Sequence, residues 1–296
     1  MPGQLQEVRT RIKSVQSSQQ MTKAMKMVSA AKLRRAQDSI LQMRPYAVKL
    51  QEMLSNIIAS LQGGAALSLG EERPVEKVLL IVITSDRGLA GGYNSNLVKL
   101  TKEVIATKFA EQNAKGNVTI WNIGKKGYEA LTNTGYKTKD TYKDLLTSIS
   151  FDKVQEAAQA AVKAFTNKEF DKVEIIYSQF KNAATLLQTE EAFLPIPKIE
   201  NKEKKDKDSN IDFIFEPSKE ELVATLVPKI LNTQLYKAVL DANASEHGAR
   251  MTAMDKASNN AGEILKHLKI TYNRARQAAI TTELTEIVSG AAALEG

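Results

Sequence analysis

Between Gln4 and Leu61 the chain carries no glycine and a single proline, Pro45. In the second half of that span apolar residues recur at alternating steps of three and four: Leu33, Ala36, Ile40, Met43, Ala47, Leu50, Leu54, Ile57 and Leu61. Nine successive matches to a heptad define the seam of a coiled coil. Extended backwards, the same register meets Ile12 and Val15, then the polar positions Gln19, Thr22, Lys26 and Ser29. The helix continues there, but its seam is not a dry core. A helix over these residues reaches roughly 87 Å, more than any compact domain of this size needs. Pro45 is expected to kink or loosen it, and Gly63-Gly64 and Gly70 to end it.

The other end of the chain has the same character. Ser218-Lys219-Glu220-Glu221 forms a capping box, in which Ser218 caps the Glu221 amide and Glu221 reaches back. The helix it opens is expected to run to about Ser289-Gly290, interrupted only by Pro228, Gly248 and Gly262. That length spans roughly 108 Å. It holds a stretch of small residues, Ala238, Ala242, Ala244, Ser245, Gly248, Ala249, Ala253, Ala257, Ala261 and Gly262, which lets two helix backbones approach closely. Ile264, Leu265, Leu268, Ile280, Leu284 and Ile287 are expected to continue the stripe. Helices in globular bundles run only about 8–20 residues. Two helices this long at opposite ends of one chain point instead to an antiparallel coiled coil of the N- and C-terminal helices.

The middle reads differently. Val78–Thr84 is an unbroken apolar run, as a buried parallel strand requires. A helix near Asn94–Glu111 follows, then a strand at Val118–Ile123, helices at Lys125–Thr132 and Phe151–Thr166, and a strand at Val173–Ser178. This alternation predicts a partly parallel sheet with helices packed on it, a Rossmann-like α/β domain inserted between the long helices. Leu186–Ile196 reads as extended and Ile211–Phe215 as a short strand. Asn201–Asn210 is a charged, low-complexity loop. The expected division is a coiled-coil helix over 1–61, an α/β domain over 75–216 with its charged loop at 201–210, and a second coiled-coil helix over 218–296.

Composition narrows the chemistry. Cysteine is absent, which excludes disulfides and thiolate metal sites, and only His247 and His267 are present. They lie too far apart on one helix to share a metal. Low aromatic content suits alanine-rich helices better than a thick β-sandwich. No run of eighteen apolar residues predicts a membrane span. The net charge of +7 sits wholly on the N-terminal arm, where ten Lys/Arg face three Asp/Glu over residues 1–61. A basic arm implies an acidic partner, be it nucleic acid, anionic lipid or an acidic protein surface, or else a solvated helix face. The arm lacks the interleaved aromatics that stack on single-stranded nucleic acid.

The segment most like an active site is Thr84-Ser85-Asp86-Arg87-Gly88-Leu89-Ala90-Gly91-Gly92-Tyr93-Asn94-Ser95-Asn96. It follows a strand and opens a helix, where amides and the helix dipole suit an anion. It matches neither a dinucleotide fingerprint nor a P-loop. Two readings stay open at this level: a nucleotide site at Gly88–Gly92, or a glycine turn that lets the helix pack tightly on the sheet. Asp86, Glu190 and Glu191 are candidate acid–base groups, with solvated or capping roles as the alternative.

Three segments carry a resemblance. Ile12-Lys13-Ser14-Val15, Met21–Val28 and Lys32-Leu33-Arg34-Arg35-Ala36 form the first. Ile83–Asn94 forms the second. The third is Ala244–His247, Arg250–Met254, Asn259–Gly262, Tyr272–Thr281 and Glu283–Ala291. Together they resemble, in order along the whole chain, the gamma-subunit family of the F-type ATP synthases. Ala90 stands where many members carry cysteine, and with no cysteine anywhere the redox switch of chloroplast members is absent.

The resemblance implies a non-catalytic central rotor shaft with no cofactor and no metal of its own. It couples ion flow through the membrane sector to ATP synthesis or hydrolysis, and regulates ATPase activity and proton flow. Implied partners are the alpha and beta subunits of the alpha3beta3 ring, the epsilon subunit and the c-ring, with no nucleic acid and only indirect membrane association. By motif, Met25, Lys23, Lys26, Arg276, Gln277, Thr281 and Glu283 fall where the family's helices meet the beta subunits. Phe213 and Glu216 fall on the side of the c-ring and epsilon. The lack of an Arg- and Ser-rich leader favours a bacterial protein, peripheral on the cytoplasmic side of the inner membrane.

Overall fold

The computed structural model describes residues 2–60, 69, 73–183, 185–196 and 219–295. The expected glycine stops, the 201–210 loop, the strand at Ile211–Phe215 and Ser218 of the capping box lie outside the described residues, as do Phe213 and Glu216. The chain forms two compact units, Met1–Ala30 with Arg250–Gly296, and Ala31–Ala249. Two long helices contribute to them: α1 (Pro2–Ser60) and α6 (Lys219–Glu295). Both are longer than expected of ordinary globular helices, and α6 runs past the anticipated stop at Ser289-Gly290. Neither Pro45 nor Pro228 ends its helix. At Pro45 the carbonyl deprived of its donor belongs to Leu41, which is exposed and so open to solvent.

In the first unit the two helices pair. Lys26 Nζ lies 2.5 Å from Asp255 Oδ1, and Gln19 Nε2 donates to the Ser258 carbonyl at 3.2 Å. Nearer the N-terminus, Leu5, Gln6 and Arg9 share a groove with Ala279, Thr282, Glu283 and Glu286. Numbers descend on α1 as they ascend on α6, so the pair is antiparallel. The register extended from the apolar heptads holds: Ile12, Val15, Gln19, Thr22 and Lys26 are all partly shielded, and Ser29 is buried. On α6 the matching shielded positions are Met254, Ser258, Ala261, Leu265, Leu268, Tyr272, Ala275, Ala279 and Thr282, again at steps of four and three.

One expectation fails here. Ile264, Ile280, Leu284 and Ile287 do not continue the stripe; they are exposed, Ile287 by 68%. A seam through Leu265, Ala279 and Thr282 excludes residues one position away, which a helix rotates by about 100°. The coil is therefore closed by apolar residues such as Ile12, Val15, Met254, Leu265 and Leu268 together with small and polar ones, while Ile264, Ile280, Leu284 and Ile287 face outward.

The second unit is built on a five-stranded sheet of order β3-β2-β1-β4-β5. Its strands are β1 (Val78–Ile83), β2 (Val118–Ile123), β3 (Thr138–Lys139), β4 (Lys172–Phe180) and β5 (Leu186–Leu194). The first four are parallel and β5 is antiparallel to β4. All six residues of β1 are buried, because both faces of a parallel sheet are covered. Alternation divides them: Leu79, Ile81 and Ile83 join one apolar layer, Val78, Leu80 and Val82 the other. The first layer is roofed by α5 (Phe151–Thr166) through Val154, Ala157, Ala158, Ala161 and Phe165, and by α6 through Leu231, Leu235, Ala238, Val239 and Ala242. The second is roofed by α2 (Tyr93–Lys108) and α4 (Lys125–Thr132). A five-residue helix, α3 (Ala110–Ala114), splits off from the helix expected at Asn94–Glu111. Strand β3 and a 3-10 turn at Leu145–Ser148 are additions to the elements expected from sequence.

Candidate functional site

In this sheet the chain leaves β1 toward β2 and β3 on one side and returns to β4 on the other. The carboxyl ends of β1 and β4 are thus the topological switch point, where folds of this type open a crevice for ligands. The segment Thr84–Asn96 leaves β1 there. Its polar groups are turned onto one another. The Ser85 amide donates to Asn94 Oδ1 at 3.0 Å, Asn94 Nδ2 donates to Ser85 Oγ at 2.7 Å, and Ser85 Oγ donates to the Arg87 carbonyl at 2.7 Å. Leu89 and Gly91 take positive φ, 62° and 59°, to make the turn. Thr84 Oγ1 accepts the Gly127 amide at 2.8 Å. Gly127 is obligatory in that contact, since a Cβ there would lie 2.6 Å from Thr84 Oγ1.

Helix α6 crosses the switch point. The buried Tyr93 hydroxyl, from the start of α2, donates to the Ala242 carbonyl at 3.0 Å. One turn on, the fully buried Ser245 Oγ donates to the carbonyl of Ser178, near the end of β4, at 2.9 Å. Gly248 faces Phe180 and Ala183, and Ala249 packs against the apolar layer opposite to the one that takes Ala242. The run Ala242, Ser245, Gly248 and Ala249 is thus the part of the small-residue stretch that lets a helix backbone enter the crevice. Of the two readings left open for Gly88–Gly92, the tight turn is the one the geometry favours: a helix of the same chain takes the place of a ligand.

The candidate acid–base carboxylates have structural partners. Asp86 accepts the Lys125 amide and the Thr147 hydroxyl, each at 3.3 Å, and so ties α4 to the 3-10 turn. Glu191 accepts the Tyr177 hydroxyl and Gln234 Nε2, both at 2.7 Å, which fastens β5 to α6. Glu190 pairs with Lys108 at 2.7 Å. Solvated roles for these last two, weighed from sequence, give way to paired ones, because β5 lies between α2 and α6 rather than in a free loop. Burial, with Glu191 beside it, pushes the Tyr177 phenol above its ordinary range. Burial also raises Asp241 on α6 to about 6, against the opposing charges of Lys237 and Arg44. No group of acidic, histidine or cysteine side chains suited to a metal occurs among the described residues.

The residues singled out through the resemblance as contacts to the beta subunits lie in the first unit. Lys23, Arg276, Gln277, Thr281 and Glu283 are exposed, and Met25 and Lys26 are partly shielded. Lys26 is engaged with Asp255, and Thr281 Oγ1 with the Gln277 carbonyl at 3.0 Å. Glu283 lines a groove of about 610 Å³ with Arg9 and Glu286. Around them the outer face carries exposed Met21, Met27, Val28, Ile270, Ile280, Leu284, Ile287 and Val288. Sequence reasoning missed Tyr93, Gln234 and the particular part of Ser245, since their partners are distant in the chain. The sole signal was the placement of Tyr93 and Ser245 inside the quoted segments. No helix among the described residues is long and apolar enough to cross a membrane.

A family profile described as ATP synthase matches residues 4–294. The ATP synthase gamma chain of Cytophaga hutchinsonii is 52% identical over 294 residues, covering 99% of both chains, and that of Chlorobium phaeobacteroides is 46% identical over 292 residues, 99% of each. Among solved structures, a chain of the Euglena gracilis mitochondrial ATP synthase, described as OSCP/F1/c-ring in rotational state 3, superposes with a TM-score of 0.64. It is 22% identical and covers 99% of this chain and 95% of its own, which bears on the fold. With full-length identity at this level and a family profile matched over residues 4–294, the chain belongs to the ATP synthase gamma-chain family.

Proposed function

We propose that this chain is the central rotor of a bacterial F-type ATP synthase. Its helical pair stands inside the alpha3beta3 ring, and its α/β domain sits toward the epsilon subunit and the c-ring. Ion flow through the membrane sector turns the chain, and the turning chain drives the beta subunits through their conformations. The observation that carries this reading, beside family membership, is the apolar outer face of the coil. Its seam mixes Ile12, Val15, Met254 and Leu265 with Gln19, Thr22, Lys26 and Ser258, while Met21, Met27, Ile280, Leu284 and Ile287 face outward. A helical pair exposing that much apolar surface is built to be enclosed by protein.

The chain performs no chemistry in this role. A shaft acts by favouring different conformations of three identical neighbours at different angles, which requires differential contact and nothing more. Ser85, Arg87 and Asn94 of the Thr84–Asn96 turn are engaged with one another and α6 is seated at the switch point, which supports a non-catalytic part. Met25, Lys23, Lys26, Arg276, Gln277, Thr281 and Glu283 are proposed as the contacts to the beta subunits, with Phe213 and Glu216 facing the c-ring and epsilon. The excess positive charge of residues 1–61 is matched in this reading to acidic surfaces of the beta subunits. The location is peripheral, on the cytoplasmic side of the inner membrane.

The test is a pull-down of the tagged chain from detergent-solubilised membranes. Co-purification of the ring-forming ATPase subunits is expected; recovery of the chain without them overturns the reading. Neutralising Lys23, Lys26, Arg34 and Arg35 together is expected to lower proton pumping per ATP hydrolysed in membrane vesicles. Unchanged coupling removes the charge assignment.

A further inference from the structure

Strand β3 is the outermost strand on one side of the sheet. Beside it lies a cavity of about 280 Å³. Lys139 and Tyr142, at the end of β3 and just after it, line one wall; Ala160, Lys163 and Ala164 of α5 line another, and Trp121 of β2 lines the cavity between them. Trp121 is the sole tryptophan of the chain and is only 6% exposed. Its ring centroid lies 5.5 Å from that of Tyr142 and 6.5 Å from that of Phe170. Its Nε1 is buried and reaches no acceptor. A buried donor without a partner is costly and uncommon in folded chains.

The other polar groups of the cavity are also mainly donors. Lys139 Nζ lies 5.5 Å from the Trp121 ring centroid. Neither Lys139 nor Lys163 forms an ion pair among the described residues. Burial, then the charge of Glu156, raises the Tyr142 phenol above its ordinary range, so at neutral pH it keeps its proton and can donate. Asn167 adds a side-chain amide, and Glu169 is the one carboxylate that lines the cavity. Two ammonium groups, an indole N–H and a phenol O–H therefore face a single negative charge. Flat apolar walls with a few polar groups are the usual make-up of a small-molecule site.

We propose that this cavity binds a small aromatic carboxylate, its ring set among Tyr142, Ala160 and Ala164, its carboxylate held by Lys139 and Lys163 and accepting the Trp121 indole N–H. A bare phosphate would answer the ammonium groups and leave the apolar walls in water. A neutral aromatic would fill the walls and leave the indole donor and both charges unmatched. The volume suits a single ring with a short side chain. Lys139 is exposed; in turning from the Trp121 ring to the carboxylate it gives up only a cation–π contact, which is weak at an exposed site. The site lies wholly within the α/β unit and uses no residue assigned to a partner subunit, so it stands or falls apart from the rotor reading.

Trp121 supplies its own reporter, because an isotope-labelled full chain shows one indole N–H resonance in its NMR spectrum. Titration with phenylacetate is expected to move that resonance downfield and to saturate, with a parallel change in tryptophan emission. Phenylacetamide, which has the same shape without the charge, is expected to bind more weakly, and inorganic phosphate to leave the resonance in place. Lys139→Met and Lys163→Met are each expected to weaken phenylacetate by about 2- to 5-fold, and Glu169→Gln to tighten it by a similar factor, as exposed charges do. In the double lysine variant the acid and the amide should bind alike. No saturable shift with phenylacetate overturns the proposal. So does equal binding of the amide by the wild-type chain, the same shift with phosphate alone, or a preference for the acid that survives loss of both lysines.

Discussion

Ser245→Leu probes whether α6 occupies the crevice at the carboxyl ends of β1 and β4. The substitution removes the donor to the Ser178 carbonyl, a loss of about 1 kcal/mol. It also places a branched four-carbon group where the native side chain is fully buried, and overpacking of this kind costs about 1–3 kcal/mol. The sum is about 2–4 kcal/mol, against about 1 kcal/mol for Ser245→Ala, which removes the hydrogen bond without adding volume. With two units in the chain, a global midpoint is not a clean readout. Hydrogen exchange at the β4 amides reports the joint directly. At 1.4 kcal/mol per tenfold, Ser245→Leu is expected to lower β4 protection on the order of 30- to 700-fold, and Ser245→Ala by about 5-fold. Equal effects of the two substitutions would mean that the site has room for a large side chain, which refutes the seating of α6 in the crevice.

Gly127→Ala is expected to destabilise the α/β sheet, because its Cβ would meet Thr84 Oγ1 at 2.6 Å, whereas Gly248→Ala meets Ala183 and Phe180 at an ordinary 3.5 Å. The second is expected to be neutral or to stabilise by up to about 1 kcal/mol through helix propensity, and chemical denaturation of the two variants distinguishes them. Asp241→Asn is expected to remove a pH dependence: with its folded pKa at about 6, Asp241 contributes stability at acid pH that is lost as pH rises through about 6, worth about 3 kcal/mol. The Asn variant should therefore match wild type near pH 4 and exceed it at pH 8 in urea unfolding. The Lys26–Asp255 pair has side chains 43% and 46% exposed, so a double-mutant cycle should return at most about 1 kcal/mol, falling with added salt.

Much of the architecture was legible in the residues alone. The heptads from Leu33 to Leu50 are shielded as read, Leu33, Ala36 and Leu50 buried and Ile40, Met43 and Ala47 partly so, and the polar extension through Gln19, Thr22 and Lys26 keeps the same register, because helical periodicity is a local property of the chain. The strand at Val118–Ile123 and the helices at Lys125–Thr132 and Phe151–Thr166 fall at their expected bounds for the same reason. The turn at Thr84–Asn96 was visible as a strand-to-helix junction rich in glycine. Its occupant was not, since Ala242 and Ser245 stand some 150 residues further along.

Periodicity thus determined the long helices, the strands β1, β2 and β4, and which face of α1 is shielded, but not β3, α3 or the 3-10 turn. The family was legible as a resemblance carried by the segments within 12–36, 83–94 and 244–291. Only the tertiary structure decided which small residues enter the crevice, that Ile280, Leu284 and Ile287 face outward, and that Glu191 joins Tyr177 to Gln234. Each of these depends on which elements are neighbours in space. Small residues and carboxylates acquire their meaning from the atoms packed against them, and those atoms come from distant parts of the chain.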